Sequence, residues 1–208
     1  MPGQSELLTP AEAAVVADVS VRDVHRVIDE HILPESFYSL EGGRWLKSSA
    51  CTYVRFYFHA AKALTADQRC SVIHVLTNKR HAAKGRRWTV EDTFLTIDLS
   101  PFVAETDARH ATLMRAREMV VEDPEILRGT PVLRGTRIPV YDIAAAMAGG
   151  LSSARLKAAY PGLDDERIAL ASLYAEANPP RGRPRARAAP HAGLELLSER
   201  KTPRRRRG

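Results

Sequence analysis

Thr9-Pro10-Ala11-Glu12-Ala13-Ala14-Val15-Val16-Ala17-Asp18-Val19-Ser20-Val21-Arg22-Asp23-Val24-His25-Arg26-Val27-Ile28 is the stretch on which the fold turns. Thr9 can accept from the free N–H groups of a helix start, Pro10 suits the first helical position, and Glu12 completes a capping box, so a helix is predicted from Pro10. Asp18-Val19-Ser20 reads as a short turn. Ser20 then caps a second helix whose Val21, Val24, Val27 and Ile28 fall on one face. The small side chains of Ala13, Ala14 and Ala17 let the two helices approach closely, and Arg22, Asp23, His25 and Arg26 are left pointing outward.

Downstream, Ser36-Phe37-Tyr38-Ser39-Leu40 and Arg44-Trp45-Leu46-Lys47 alternate apolar with polar residues around Glu41-Gly42-Gly43, which predicts a hairpin with Trp45 in the core. Ser48 or Ser49 is expected to cap an aromatic-rich helix through Val54, Tyr57, Phe58 and Ala61. Thr65-Ala66-Asp67 starts another through Val72, Ile73 and Leu76. This arrangement over residues 5–80 resembles winged helix-turn-helix modules of the excisionase and MerR kind, which implies DNA binding. Ser20, Arg22, His25 and Arg26 on the second helix, with Arg44 and Lys47 on the wing, are the candidate DNA contacts. A solvated helix face and an exposed turn would use the same residue types, and both readings stand at this point.

Residues 81–119 read as linker, strand and connecting helix. Lys79 to Arg87 is basic and poor in apolar residues, Phe94 to Leu99 alternates like a strand, and Ser100-Pro101 is expected to cap a helix from Phe102 to Glu118.

The second informative stretch is Val120-Val121-Glu122-Asp123-Pro124-Glu125-Ile126-Leu127-Arg128-Gly129-Thr130-Pro131-Val132-Leu133-Arg134-Gly135-Thr136-Arg137-Ile138-Pro139-Val140. Arg128-Gly129-Thr130 recurs as Arg134-Gly135-Thr136, two tight turns bracketing an extended segment in a short β-hairpin. Arg134 and Arg137 are expected to satisfy carbonyls of their own hairpin. Pro139 opens a helix through Val140, Ile143, Ala144 and Met147 that Gly149-Gly150 ends. Ser152 or Ser153 caps a helix through Leu156 and Tyr160, and Asp164-Asp165-Glu166 starts a third with Ile168, Leu170, Ala171 and Tyr174.

Gly129, Pro131, Gly135, Thr136, Arg137 and Pro139, with Tyr160-Pro161-Gly162-Leu163, resemble the motif of the bacterial domain-of-unknown-function family 433, whose members include VapB-type antitoxins. The resemblance covers residues 120–180 and implies a homeodomain-like three-helix domain. With the N-terminal winged helix, the architecture is similar to that of mycobacterial VapB-type antitoxins encoded beside a PIN-like ribonuclease toxin. The fold class expected is therefore mainly α.

Charge is distributed unevenly. Residues 181–208 hold ten Lys and Arg against Glu195 and Glu199, while residues 1–180 carry 21 basic and 23 acidic side chains. The tail has no apolar periodicity and is expected to be disordered when free, with an acidic partner. The resemblance makes that partner the metal-binding carboxylate groove of a cognate PIN-like ribonuclease toxin, with Arg181, Arg183, Arg185, Arg187, Arg204 and Arg205 as guanidinium donors and Leu194 and Leu197 as apolar anchors. DNA phosphates are the other acidic partner open to it, in a stand-alone transcriptional regulator.

No constellation for catalysis emerges. Glu122, Asp123 and Glu125 are interrupted by Pro124, the seven histidines lack HxxxH or HExxH spacing, and no phosphate-binding Gly loop follows a strand. The chain is therefore expected to be a non-enzyme without cofactor or metal, binding operator DNA as a homodimer or as a hetero-oligomer with toxin. Cys51 and Cys70 are too few for a disulfide framework or a zinc site, which points to reduced thiols. The absence of a long apolar run or leader-like start leads to an expectation of a cytoplasmic protein with no membrane partner.

Overall fold

The computed structural model describes residues 7–77 and 97–180. In chain order the elements are β1 (Leu7–Leu8), α1 (Pro10–Ala17), α2 (Val21–Asp29), β2 (Tyr38–Ser39), β3 (Trp45–Lys47), α3 (Cys51–His59) and α4 (Ala66–Thr77). Then follow α5 (Ser100–Met119), β4 (Val120–Val121), β5 (Val132–Leu133), α6 (Val140–Ala148), α7 (Ser153–Ala159) and α8 (Asp165–Ala177). The fold is mainly α, as expected.

Thr9 caps α1 as its spacing requires. Its Oγ1 accepts from the Glu12 N–H at 3.3 Å, and its own N–H donates to Glu12 Oε2 at 2.9 Å. Because Glu12, Ala13, Ala14, Val15, Val16 and Ala17 are all buried, α1 acts as a central helix, packed by α2, α3, α5 and α8. Ser20 and Asp23 form the second capping box, with Asp23 N–H donating to Ser20 Oγ at 3.1 Å. Val24, Val27 and Ile28 reach the core, but Val21 stays 41% exposed. It is the first residue of α2.

The wing is antiparallel, pairing Tyr38 with Leu46 and Ser39 with Trp45. β1 adds a third strand that the sequence did not announce, pairing Leu8 with Leu46 and Leu7 with Lys47. Leu8 and Leu46 face inward and are fully buried, so the expected core role of Trp45 passes to Leu46 and Trp45 is only half-buried. Alternation fixes this: neighbours on a strand point to opposite faces, and only one can be inside. Neither Ser48 nor Ser49 caps α3. The chain is already helical at Ala50 (φ −72°, ψ −26°), which leaves no extended residue to cap from.

Among the described residues Ile97 to Leu99 form no strand, and Ile97 and Leu99 pack on the first core, while Phe94 to Thr96 and the basic stretch Lys79 to Arg87 lie outside the described residues. Leu99, not Ser100, occupies the cap position of α5, and Asp98 Oδ1 accepts from the Ser100 N–H at 2.8 Å. α5 has 20 residues, which makes it about 30 Å long. It joins two apolar clusters: Leu113 belongs to the one around α1, and Ala116 to the one around α6 to α8. α8 does the same, with Ala177 in the first cluster and Ile168, Leu170, Ala171 and Tyr174 in the second.

Two ion networks fasten α1 to this frame. Glu12, 3% exposed, receives Arg117 through Nε at 3.0 Å and Nη2 at 2.7 Å. Asp18, at the left-handed end of α1, accepts from Arg55 at 2.9 Å and Arg109 at 2.9 Å, and those two arginines also donate to the terminal carbonyls of Ala17 and Val15. The Arg55 hydrogen bond holds the Asp18 carboxyl below its ordinary value. Arg55 further pairs with Glu105 of α5.

Beyond α5, β4 pairs antiparallel with β5, Val120 opposite Leu133 and Val121 opposite Val132. Leu133 N–H also donates to Ile138 O at 3.0 Å, so β5 is bonded on both edges. Pro139 precedes α6, and Gly149 with left-handed Gly150 (φ +87°) ends it. Ser152 caps α7 and Asp164 caps α8, accepting from Arg155 at 3.4 Å and from Arg167 at 2.7 Å. Tyr160, expected within this helix, instead occupies its C-cap and is 41% exposed.

Candidate nucleic-acid interface

The outward face of α2 carries Arg22, His25 and Arg26, and acids at its end engage Arg26 and the wing's Arg44. Arg26 Nε pairs with Glu30 Oε1 at 2.9 Å, an i,i+4 contact across one turn. Arg44 of the wing reaches back to Asp29: its Nη2 lies 2.8 Å from Oδ1 and its Nη1 3.1 Å from Oδ2, a two-pronged pair. The same Nη1 lies 3.2 Å from His25 Nδ1. Arg44 holds the Asp29 carboxyl below its usual value through that hydrogen bond. His25, Asp29 and Arg44 thus form one cluster that ties the wing to the last turn of α2.

Arg22, exposed on the first turn of α2, makes no hydrogen bond or ion pair among the described residues. Ser20 is committed to capping: its Oγ also donates to Asp23 Oδ2 at 2.6 Å. Lys47 is half-buried at the end of β3, opposite Leu7. Arg22, His25 and Arg26 lie on α2, while Arg44 precedes β3 of the wing and Lys47 ends it. Sequence reasoning missed Asp29 and Glu30 as partners. Glu30 was findable from the i,i+4 spacing to Arg26, whereas nothing local relates Asp29 to Arg44.

The last helix of the second unit offers a different surface. The exposed positions of α8 are Asp165, Glu166, Ala169 and Glu176, and its remaining residues are buried or half-buried against α1, α5 and α6. Lys157 pairs with Asp165 at 2.7 Å, and Arg115 of α5 pairs with Glu166. A helix whose free face is acidic repels phosphate.

The motif residues cluster at the β4–β5 end. Gly129 (φ +78°) and Gly135 (φ +76°) supply left-handed turns, Pro131 leads into β5, and Pro139 bridges to Val132. Thr136 Oγ1 donates to Leu133 O at 2.8 Å and accepts from the Ile138 N–H at 3.1 Å, which fixes the turn. The expectation that Arg134 and Arg137 bind carbonyls of their own hairpin is corrected: both are exposed, and Arg134 Nε donates at 2.8 Å to Glu118 O at the end of α5. That carbonyl is one of the unsatisfied ones at a helix C-terminus, a stronger acceptor than those already used within the hairpin. Arg137 makes no hydrogen bond or ion pair among the described residues. Tyr174 donates to Glu122 Oε1 at 2.9 Å, and burial first, then this carboxylate, pushes its phenol up.

Arg181, Arg183, Arg185, Arg187, Leu194, Leu197, Arg204 and Arg205 lie outside the described residues. Among the described residues, Lys and Arg number 16 against 20 Asp and Glu, so the net positive charge of the chain resides in the remaining segments. No helix among the described residues is long and apolar enough to cross a membrane.

Residues 120–175 match the family described as "Protein of unknown function (DUF433)". Over 215 aligned residues the chain is 48% identical to "Uncharacterized protein y4eO" of Sinorhizobium fredii, covering all of this chain and 97% of that relative. No solved structure gives a significant match.

Proposed function

This chain belongs to the family of that Sinorhizobium protein and has a DUF433 domain over residues 120–175; we propose that it is an antitoxin. In this reading α2 and the wing bind operator DNA, and residues 181–208 cover the catalytic groove of a cognate PIN-like ribonuclease of the VapC type. The chain performs no catalysis of its own and uses no cofactor. It acts in the cytoplasm as a homodimer on DNA and as a hetero-oligomer with its toxin. The observation that carries the reading is the separation of charge. Ten Lys and Arg against two Glu sit in residues 181–208, set apart from a described body in which acids outnumber bases.

That separation suits inhibition. A PIN-like ribonuclease gathers carboxylates to hold Mg²⁺ or Mn²⁺, and a guanidinium entering the groove meets them with two parallel charge-assisted hydrogen bonds. The acidic body does not compete for the same groove. On the operator, Arg22 and Arg26 of a dimer would meet successive turns of DNA about 34 Å apart.

The test is co-expression with the product of the adjacent open reading frame, followed by a ribonuclease assay with and without residues 181–208. The expected outcome is a stable complex that is silent with the tail and active without it. Failure of any complex, with sequence-specific DNA binding by this chain alone, would replace the proposal with a stand-alone regulator. The exposed Arg22 on the first turn of α2 suits DNA in either reading.

A further inference from the structure

We propose that the cleft beside Arg137 docks a protein segment bearing an apolar side chain next to a carboxylate. The cleft has a volume of about 410 Å³; Val121, Ile126, Val132 and Leu133 form its apolar walls, and Arg137 is the charged residue at its lip. The polar group of Thr136 is spent on Leu133 and Ile138, so the hydroxyl offers a ligand nothing. Arg137 is exposed and has no partner among the described residues, which leaves its guanidinium available at the mouth of an apolar hollow.

The rim adds a second observation. Immediately after Ile126, Leu127 (φ +47°) and Arg128 (φ +58°) both adopt the left-handed conformation that β-carbon-bearing residues avoid, and Leu127 is 48% exposed. Strain of this kind persists where the surroundings over-determine it, and it gathers at ligand clamps. Here it presents one apolar side chain and one guanidinium to solvent beside the cleft.

Charge complementarity names the occupant. Arg128, Arg134 and Arg137 are all exposed on this end of the domain, in a described body that is otherwise richer in acids. Of the neighbouring acids, Glu122 accepts from Tyr174, Asp123 Oδ1 accepts from the Glu125 N–H at 2.9 Å, and Glu125 is exposed beside Ile126. None of them lines the cleft. A phosphodiester strand would engage the arginines and leave the apolar walls wet, whereas a peptide with Leu, Ile or Val beside Asp or Glu satisfies both. This inference does not require a toxin and stands or falls apart from the antitoxin reading.

The experiment is panning of phage-displayed random dodecapeptides against the immobilised full chain, followed by fluorescence anisotropy with the selected peptides. Arg137→Ala and Leu127→Ser are the test variants, and their melting curves are compared with the wild type. Expected is enrichment of peptides with Asp or Glu within two residues of an apolar side chain. Their affinity should fall about tenfold or more in either variant at unchanged folding, the effect of removing an anchor from a docking site. Absence of enrichment, enrichment of peptides whose affinity neither variant changes, or displacement of the peptide by duplex DNA would each overturn the proposal, the last by assigning the arginines to nucleic acid.

Discussion

At the scale of single residues, Asp18 carries the clearest pH signature. Its carboxyl is held below 3.8 by the Arg55 hydrogen bond, so the unfolded chain binds protons there more readily than the folded one. The network therefore contributes fully above that unfolded value and is lost as pH falls through the lowered folded one. Urea midpoints at pH 6 and pH 3 should differ more for the wild type than for Asp18→Asn, which keeps a residue tolerant of φ +57° while removing the charge. Equal differences would show the network uncoupled from folding. Arg117→Ala removes the guanidinium partner of Glu12, which is 3% exposed. A loss of about 3–5 kcal/mol in urea unfolding is expected. Neither role was legible locally: Asp18 lies 37 residues from Arg55, and Glu12 lies 105 from Arg117.

At the scale of elements, α2 and the turns around β5 make opposite demands. Arg22 faces solvent on α2, and Arg22→Ala should weaken operator binding about tenfold in anisotropy titrations, as expected for loss of one good contact. Asp29→Asn releases Arg44 from its two-pronged pair. Non-specific duplex affinity should then rise and its salt dependence steepen by about one phosphate contact. No change would mean that the wing never approaches DNA. In the hairpin turn, a Cβ at Gly135 meets nothing within 4 Å, so Gly135→Ala tests the backbone alone at φ +76°. A cost of about 1–2 kcal/mol follows from the left-handed penalty. The caps of α1, α2, α7 and α8 were legible because each bond joins residues three apart. The start of α3 was not, because an already helical Ala50 pre-empts the serines.

At the scale of the whole molecule, two apolar clusters share α5 and α8. The chain is therefore expected to unfold in one cooperative step, seen as coincident far- and near-UV transitions. Residues 1–119 alone should melt lower, since removal of α8 uncovers α1. Two well-separated transitions would show that the shared helices do not couple the clusters. Charge acts at the same scale: with the positive excess outside a net-acidic described body, deletion of 181–208 should flatten the salt dependence of any DNA binding.

Short-range chemistry is the part of this fold that can be read along the chain. Thr9, Ser20, Ser152 and Asp164 fix helix starts through bonds three residues long, Gly129 and Gly135 fix left-handed turns, and the motif of residues 120–140 announces its family. What only the tertiary structure decided are relations across long stretches of chain. These are the addition of β1 to the wing, the choice of Leu46 over Trp45 for the interior, the pairing of Arg44 with Asp29, and the turn of Arg134 to Glu118. The physical reason is that a side chain's local pattern sets which face it occupies, while the partner waiting there is brought by another element folding against it.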